Sequence, residues 1–446
     1  MLNVTELARK AQKKAPIDLK DLLGPFYYRY LSVQANREHQ NNLSTSPDSG
    51  ANAPNHVLVI AIDALRSDFI PDIDQLNFRR AVAPGTWTFP SVTSMQTGQL
   101  PHQHGAVAHD HPDDTSFALP QQFTGSSTLP AVLENAGYET YLGSSFITPF
   151  LALRGWFENH RVYGDADAET VLSDYRSWRQ DREQTYGYLQ LGDLHAPIEP
   201  PNEYVQSREV DTSLDGLSRL VKYTDNYADA PSGWREQRLR LYRAALDYVE
   251  DTLEPVIQNV MDDTLLVVIG DHGEAMWEHP ERDRQFADSR PNYSVGHGGT
   301  PFDEVARVPV AIHHPNFESQ LQGGLPNGRD IPSTVCAGLG IDDQEFAGVN
   351  WFDGIPNDRY TICEATRYGT ERKAVYQGDK KIIHSDTDDV TLDATVYENG
   401  GEKFGTLSDD TIKSLMNHLP DHWDDMDIKS DASAMVQDQL EALGYR

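Results

Sequence analysis

The chain has 446 residues, 38% of them hydrophobic and 9% aromatic, which is enough to bury a large core and to form more than one structural unit. This composition excludes an intrinsically disordered protein. Acidic residues outnumber basic residues by 69 to 37, for a formal net charge of −32. Nucleic acid is therefore excluded as the main partner, because phosphate backbones are bound by basic surface stripes.

Lysine is scarce in this chain, with 11 lysines among the 37 basic residues and none between Lys20 and Lys222. An acidic, lysine-poor composition resembles that of proteins from salt-loving microbes, where acidic surfaces keep proteins soluble in concentrated salt. The alternative is an acidic protein in ordinary salt, which self-repulsion would destabilise. We favour a halophilic, haloarchaeal origin. The two cysteines, Cys336 and Cys363, are too few for a disulfide framework and are expected to be buried.

The first 35 residues contain two helical patterns, and the first twenty carry five basic and two acidic side chains. We expect a helical arm that packs on the main domain. A second hypothesis is a peripheral contact of residues 1–35 with anionic lipid headgroups. Residues 37–55, rich in Asn, Ser, Pro and Gly, are predicted to be a linker.

The apolar runs of the chain bear on its localisation. The N-terminal sequence has no apolar segment of signal-peptide length, and the longest apolar runs, Val57–Ile62 and Leu265–Ile269, are too short to span a bilayer. We therefore expect a cytoplasmic protein, either free or peripheral to the membrane.

The middle of the chain alternates between strand and helix patterns. His56–Ile62 is a continuous apolar run, which is typical of a central parallel strand. Further strands are predicted at 138–143, 186–191, 264–269 and 307–313, with helices at 129–137, 167–182 and 234–261 and an irregular excursion at 196–233. This alternation predicts an α/β fold with a mostly parallel sheet, whose sites lie at the carboxyl edge of the strands.

The pattern changes after about residue 358. Short strands at 359–363, 373–377, 380–385 and 390–397 have hairpin spacing, and a helix at 408–418 and an acidic tail follow. We predict an N-terminal helical arm and linker over 1–50, the main α/β domain over 51–358, and a small C-terminal antiparallel sheet and helix subdomain with its tail over 359–446.

The stretch from Ala83 to Gly98, APGTWTFPSVTSMQTG, reads as a loop followed by a helix over Ser91–Gln96. A hydroxyl at the start of such a helix faces unpaired N–H groups and a positive dipole end, which suits an anionic substrate. Thr86, Thr88 and Ser91 are the candidates. The alternative is that one of them only caps the helix.

Acids and histidines follow several of the predicted strands. Asp63 follows the first of these strands, Asp193 and His195 follow another, and Asp271 and His272 follow a third. His297 lies in a Gly-rich loop. Carboxylate and imidazole ligands favour Zn²⁺ or Mn²⁺ over Ca²⁺, which prefers oxygen ligands alone. A metal ion beside a hydroxyl can generate an alkoxide nucleophile. The pattern thus predicts a metal-dependent ester hydrolase.

The ordered motifs resemble those of sulfatase-type members of the alkaline phosphatase superfamily over residues 55–400. They are VLVIAIDALRSD, TFPSVTSMQTGQLPHQHG, GYETYLG, GDLHAPIEPP, YRAALDYVEDTLEPVI, TLLVVIGDHGE, VGHGG and RVPVAIHHP. The resemblance implies a three-layer α/β catalytic domain with a small C-terminal sheet. It also implies metal ligation by Asp63, Asp271 and His272 and a nucleophile at Thr88. His195 and His297 match histidines that hold the ester group, protonate the leaving group or ligate a second metal.

The chain departs from the formylglycine sulfatases at the nucleophile. Those enzymes carry Cys or Ser followed by x-Pro-x-Arg, whereas this chain has Thr88 and, in place of the arginine, Val92. Threonine cannot be oxidised to formylglycine. Ala64 stands where a second acid is usual, and His272 where calcium-binding sulfatases have Asn. The departures favour the threonine-nucleophile branch, which includes phosphotransferases and phosphodiesterases.

The resemblance implies one Zn²⁺ or Mn²⁺ bound by Asp63, Thr88, Asp271 and His272. A second metal ion would require Asp193, His195 and His297 to converge. Arg66 is expected to form a structural salt bridge rather than a substrate contact. The dense histidine tract behind the nucleophile is expected to consist of loop residues, namely His102, His104, His109 and His111.

We expect a metal-dependent hydrolase or transferase that cleaves a phospho- or sulfo-ester through a covalent threonine intermediate, with phosphate esters favoured. The substrate would be an anionic ester, on a polysaccharide or a lipid-linked headgroup. Two alternatives remain, namely a sulfuric ester hydrolase that works without formylglycine and a non-catalytic sulfatase-like binding protein.

Overall fold

The computed structural model describes residues 17–40, 53–108, 120–125, 127–214, 216–219, 233–289, 294–316, 321–341, 346–398 and 400–420. The first of the two predicted N-terminal helices, most of the predicted linker, part of the 196–233 excursion, His109, His111 and the acidic tail lie outside these ranges. No helix in the described part of the chain combines the length and the hydropathy needed to cross a membrane.

Helices and strands alternate through the main part of the chain. The helices are α1 (Ile17–Gln40), α2 (Thr88–Thr97), α3 (Pro101–His104), α4 (Leu129–Asn135), α5 (Ile147–Leu153), α6 (Ala168–Arg179), α7 (Asn202–Ser207), α8 (Trp234–Val260), α9 (Pro280–Asp283), α10 (Asp303–Ala306), α11 (Ile331–Leu339) and α12 (Asp409–Met416). The strands are β1 (His56–Ile62), β2 (Arg79–Val82), β3 (Glu139–Ser144), β4 (Asn159–Val162), β5 (Thr185–Leu191), β6 (Thr264–Gly270), β7 (Ala275–Met276), β8 (Val295–Gly296), β9 (Arg307–His313), β10 (Thr361–Cys363), β11 (Lys373–Gln377), β12 (Lys380–Ser385), β13 (Val390–Val396) and β14 (Glu402–Phe404).

Seven strands form the main sheet, in the order β2-β9-β6-β1-β5-β3-β4. The pairs from β6 to β4 are parallel, and β9 and β2 each pair antiparallel with their neighbour. In the register of the three central strands, Ile62 lies beside Leu191 of β5 and Gly270 of β6. The residues that follow these three strands therefore emerge at one edge of the sheet.

Helices cover both faces of this sheet, because alternate side chains of a strand point to opposite faces. On one face, Val57, Val59 and Ala61 pack in a core with residues of α2, α4, α5 and α11. On the other face, Leu58, Ile60 and Ile62 pack with residues of α6 and α8. All seven residues of β1 are buried, as the continuous apolar run predicts. The architecture is the predicted three-layer α/β fold.

A separate antiparallel sheet, in the order β10-β11-β12-β13-β14, lies at the C-terminal end of the described chain. Two of its strands, Lys373–Gln377 and Lys380–Ser385, have the predicted bounds. Its apolar side chains, Ile383 among them, share a core with Phe286 and Phe302 of the main unit. The boundaries 1–50, 51–358 and 359–446 stay our proposal for the domains.

Three details differ from the sequence predictions. Helix α2 begins at Thr88 and not at Ser91, so the predicted start was wrong. Helix α1 continues to Gln40, so the predicted linker starts too early; the buried Leu31 and Ala35 anchor this helix in the core. The 196–233 excursion contains the short helix α7.

Both cysteines are buried and free, as predicted.

Candidate active site

Two buried acids follow neighbouring parallel strands. Asp63 comes after β1 and Asp271 after β6, and both side chains are fully buried. His272, also fully buried, places its Nε2 3.6 Å from Asp63 Oδ1 and 3.7 Å from Asp271 Oδ2. The three side chains form a group whose ligand atoms lie within 4.8 Å of one another and that could hold a metal ion. The predicted ligands are thus brought together.

Thr88 completes this group from the first turn of α2. Its Oγ1 donates a hydrogen bond to Asp63 Oδ2 at 3.1 Å and also lies 3.1 Å from His272 Nε2. His272 Nδ1 is 2.8 Å from the carbonyl of Gly273, which can only accept, so in the neutral ring Nδ1 carries the proton and Nε2 the lone pair. The threonine hydroxyl therefore faces an imidazole lone pair suited to a metal ion and a carboxylate oxygen, Asp63 Oδ2, that can take its proton.

The other two candidate hydroxyls are engaged elsewhere. Thr86 Oγ1 donates to the carbonyl of Ala365 at 3.1 Å, and Ser91 Oγ exchanges hydrogen bonds with the backbone of Gly85. The alternative that one of them caps the helix is wrong, because the extended Trp87 occupies the N-cap and no side chain makes a cap hydrogen bond. Of the three, only Thr88 contacts the acids.

The electrostatics of the acid pair favour a cation. Burial, together with the neighbouring Asp271, raises the pKa of Asp63 well above its usual range. Gln190 of β5 donates from its Nε2 to Asp63 Oδ2 at 3.0 Å and to Asp271 Oδ2 at 2.9 Å. Asp63 Oδ1 accepts no hydrogen bond although it is buried. Two carboxylates, an imidazole lone pair and a hydroxyl fit Zn²⁺ or Mn²⁺.

Asp271 is held by the backbone around both strand ends. Its Oδ1 accepts hydrogen bonds from the amides of His272 at 2.8 Å and Ala64 at 3.3 Å. Ala64 has a φ of 58°, in the left-handed region that non-glycine residues rarely adopt. This turn directs the Ala64 amide at the second acid, so a hydrogen-bond donor follows Asp63 at the position where the resemblance leads us to expect an acid.

His297 and His195 lie next to this group. The ring centroids of His297 and His272 are 4.5 Å apart, and those of His297 and His195 are 4.9 Å apart. His297 Nδ1 lies 2.8 Å from Glu274 Oε2, and His195 Nδ1 lies 2.7 Å from the carbonyl of Ala196. Burial, with a contribution from His297, lowers the pKa of His195 to about 3, so His195 is neutral near pH 7.

Asp193 does not join the two histidines. Its Oδ1 accepts a hydrogen bond from the Ala168 amide at 3.2 Å, and mainly burial raises its pKa to about 7. Among the described residues, the ligand atoms of Asp193, His195 and His297 do not form a group within 4.8 Å. The residues named for a second ion at this place are therefore not assembled.

The other sequence candidates have structural contacts. Arg66 is buried against Asp68 and Glu278, each 2.8 Å away, as expected for a salt bridge. His102 and His104 were predicted to be loop residues, but both lie in the short helix α3. There His102 Nδ1 pairs with Glu364 and His104 Nε2 with Ser94.

Two residues at the site were missed by the sequence prediction. Gln190 bridges both acids, and the available signal was a polar residue inside an otherwise apolar buried strand. Glu274 pairs with His297, and it stands two residues after His272 in the motif GDHGE.

The loop that carries His297 is anchored by its glycine neighbour. Gly298 has a φ of 72°, donates to the Thr86 carbonyl at 2.6 Å and accepts from the amides of Arg367 and Tyr368. A Cβ at this position would lie 3.0 Å from the Tyr368 ring. The segment that precedes β11 therefore helps to place His297 beside the acids.

The fold and this site define an α/β protein with a carboxylate–histidine site and a helix-terminal hydroxyl at the carboxyl edge of its sheet. A model of the sulfatase family matches residues 68–320, more than half of the chain, and the chain belongs to this family. The match includes the helix that begins at Thr88 and the loop of His297, and Asp63 lies just before it.

One curated relative is a phosphate transferase. The chain is 26% identical over 275 residues to GPI ethanolamine phosphate transferase 3 of Schizosaccharomyces pombe (strain 972 / ATCC 24843). The aligned part covers 58% of this chain and 25% of that protein, so the chain spans about a quarter of the length of this relative.

Solved structures share the fold at low sequence identity. The phosphonate monoester hydrolase of Agrobacterium radiobacter aligns with a TM-score of 0.58 and 13% identity, over 82% of this chain and 94% of that one. The lipoteichoic acid synthase LtaP from Listeria monocytogenes aligns with a TM-score of 0.53 and 14% identity, over 93% of this chain and 98% of that one. At these identities the similarity establishes the fold.

Proposed function

We propose that the chain is a metal-dependent phosphoester hydrolase or phosphotransferase with Thr88 as its nucleophile. The observation that carries this proposal is the position of Thr88 Oγ1, 3.1 Å from both Asp63 Oδ2 and His272 Nε2 at the start of a ten-residue helix. The hydroxyl thus combines a nearby proton acceptor with the positive end of a helix dipole.

The residues that would hold a divalent ion are Asp63, Asp271, His272 and Thr88. A bound Zn²⁺ or Mn²⁺ supplies two effects there, a lower pKa for the threonine hydroxyl and a counter-charge for the ester oxygens. Gln190 keeps the two carboxylates aligned, because its amide group donates to both of them.

The reaction of Thr88 proceeds in two displacements. The Thr88 hydroxyl passes its proton to Asp63 Oδ2, and its Oγ forms a bond to phosphorus while the bond from phosphorus to the leaving oxygen breaks, which gives a phosphothreonine. His297 donates the proton that the leaving oxygen needs, and Glu274 stabilises the imidazolium before that transfer. Water, or an alcohol in a transferase, then attacks phosphorus, and His297 takes the proton of the attacking oxygen. The bond from phosphorus to Thr88 Oγ breaks, and Asp63 Oδ2 returns the proton to the threonine hydroxyl.

His195 is assigned a different role. With a pKa of about 3, the His195 ring is neutral near pH 7 and carries a single proton, on Nδ1. That proton faces the Ala196 carbonyl. We therefore propose that His195 orients His297 and accepts hydrogen bonds from substrate rather than acting as the general acid.

Phosphate esters are proposed as substrates ahead of sulfate esters. Threonine cannot form the aldehyde that formylglycine sulfatases use, and Val92 replaces their arginine. Two of the compared proteins are named for phosphorus chemistry, an ethanolamine phosphate transferase and a phosphonate monoester hydrolase. A sulfate ester hydrolase that works without formylglycine is the competing activity.

The proposal is tested with the full chain in molar KCl and added Mn²⁺ or Zn²⁺. Aryl phosphate, bis-aryl phosphate and aryl sulfate are compared, and intact-mass spectrometry follows acid quenching. We expect phosphate-ester turnover, a phosphorylated species in the wild type, and a loss of about 10³-fold or more in Thr88→Ala. Thr88→Ser is the matched control that keeps a hydroxyl. A sulfatase preference that survives Thr88→Ala refutes the proposal.

A lipid-linked anionic ester is proposed as the substrate class, and the outer surface of α1 supports it. Phe26, Tyr30 and Val33 lie at helical spacing and are exposed by 71%, 50% and 41%, while Leu31 and Ala35 face the core. The first twenty residues add a net charge of +3 to a chain of net charge −32. An exposed apolar stripe on a helix that follows a basic stretch of sequence suits a peripheral contact with anionic lipid. We propose a cytoplasmic, membrane-peripheral location.

Co-sedimentation with phosphatidylglycerol vesicles tests the membrane contact. We expect the full chain to pellet with the vesicles and the Phe26→Ser/Tyr30→Ser/Val33→Ser variant to stay in the supernatant. Phosphatidylcholine vesicles give the control for charge. Equal sedimentation of the variant and the wild type contradicts the contact and leaves a soluble polysaccharide ester as the remaining substrate class.

A further inference from the structure

A second group of ligand-type side chains lies where the C-terminal sheet meets the main unit. His279 directly precedes α9, Glu304 lies in α10, and Glu402 is the first residue of β14. Their ligand atoms lie within 4.8 Å of one another. None of these residues takes part in the chemistry assigned to Thr88.

We propose that His279, Glu304 and Glu402 form a second divalent-cation site, for Zn²⁺ or Mn²⁺, that ties the C-terminal sheet to the main α/β unit. Carboxylate oxygens with one imidazole nitrogen match the ligand preferences of these two ions. The proposed role is structural, because the group joins β14 of the C-terminal sheet to α10 and the start of α9, and it involves neither Thr88 nor His297.

The separations within the group suit a shared cation better than direct hydrogen bonds. His279 Nε2 lies 3.5 Å from Glu304 Oε1 and 3.6 Å from Glu402 Oε1. Ligands at about 2.1 Å from a tetrahedral ion are about 3.4 Å apart. The group around His272 has nearly the same separations, 3.6 and 3.7 Å.

A buried oxygen of this group has no hydrogen-bond donor. Glu304 is 8% exposed and its Oε2 accepts no hydrogen bond, and the buried Nε2 of His279 makes none either. An unsatisfied buried carboxylate oxygen is costly, and a cation shared by these side chains satisfies it. This feature distinguishes the group from a solvated cluster of acids.

Two aromatic rings lie beside the group, and one oxygen of Glu402 has only a weak hydrogen-bond donor. Lys381 Nζ lies 2.6 Å from Glu402 Oε2, whereas Oε1 accepts only a 3.2 Å bond from the Asp303 amide. The rings of Phe302 and Phe404 lie 4.8 and 5.2 Å from that of His279. One face of the group is therefore apolar.

A proton is the competing occupant. Burial alone would lower the pKa of His279, but Glu304 and Glu402 outweigh that effect and raise it. A histidinium between two carboxylates balances charge without a metal, so ion binding must displace a proton. The test therefore counts metal ions directly rather than inferring them from stability.

Zinc stoichiometry of the full chain tests the proposal, with repeated EDTA treatment, reloading and elemental analysis at pH 8. We expect two equivalents in the wild type, one in His279→Gln, one in Asp271→Asn and none in the double variant. Glu304→Gln is the second variant if His279→Gln does not fold, and circular dichroism checks each variant.

The His279→Gln arm decides this proposal by itself, and the Asp271→Asn arm decides the metal site of the proposed function. Loss of one equivalent in His279→Gln supports the second site. A zinc content that His279→Gln and Glu304→Gln leave unchanged overturns it and assigns the group to a protonated ion-pair network.

Discussion

Tyr188 donates a hydrogen bond to Gln190 Oε1 over 2.7 Å, two residues away on the same face of β5. This contact determines which end of the Gln190 amide points at the acids: Oε1 is occupied, so the NH₂ group faces Asp63 and Asp271. The two carboxylates are thereby held in one arrangement by a side chain that is not a ligand. Such support of ligands by neighbouring hydrogen bonds strengthens metal sites.

Replacement of Gln190 by Met is expected to weaken metal binding. Met keeps the approximate volume but removes both donors, so the two buried acids lose the group that aligns them. We expect a metal Kd about 10- to 100-fold higher, measured by competition with a chromogenic chelator. Tyr188→Phe, which leaves Gln190 in place, is expected to have a smaller effect. An unchanged Kd in a folded Gln190→Met protein contradicts the alignment role.

The pairing of Glu274 with His297 predicts that the loss of activity in variants of either residue depends on the leaving group of the substrate. Glu274→Gln removes the charge that stabilises a protonated His297, and His297→Ala removes the acid itself. We expect losses of about 10²- to 10⁴-fold for alkyl phosphate esters, whose leaving oxygen needs a proton. For 4-nitrophenyl esters, whose leaving group departs as an anion, the loss is expected to be much smaller. Equal losses for both substrates assign the pair to binding instead of proton transfer.

The sequence predicts the sheet and the strand-end acids well, because continuous apolar runs such as His56–Ile62 mark buried parallel strands and the next residue must then lie at the carboxyl edge. It does not distinguish Thr86 from Thr88 by physical argument, since that choice depends on which hydroxyl reaches Asp63 across the fold. The role of Gln190 depends on Asp63 and Asp271, which follow β1 and β6 and are distant from Gln190 in sequence. The group of His279, Glu304 and Glu402 arises only where β14 meets α9 and α10, which are distant in sequence.

The large negative charge predicts a rise of the unfolding temperature with salt. Raising KCl from 0.1 to 1 M shortens the screening length from about 10 to about 3 Å, which reduces the repulsion among the surplus acids. We expect most of the increase in Tm between these two concentrations, measured by differential scanning fluorimetry. A rise that continues linearly to 3 M indicates a general salting-out effect instead. A flat or falling Tm contradicts the proposed halophilic origin.

The contact of α1 with the main unit predicts a pH-dependent part of the stability. His39 Nε2 lies 3.1 Å from Glu134 Oε2, and its Nδ1 lies 2.9 Å from the Gly155 carbonyl. Burial by itself would lower the pKa of His39, but the adjacent carboxylate of Glu134 outweighs it, so the pKa is raised in the folded protein. Folding therefore favours the protonated ring.

This stabilisation is fully present below the ordinary histidine pKa of about 6.5 and is lost as the pH rises through the higher pKa of the folded state. We expect His39→Gln to lower the free energy of unfolding by about 1–3 kcal/mol near pH 6, and by less at pH 9. Denaturant titrations at constant KCl measure both values. Glu134→Gln, the matched control, should remove the same pH-dependent part. A difference between His39→Gln and the wild type that does not change with pH would show that the contact acts through packing alone.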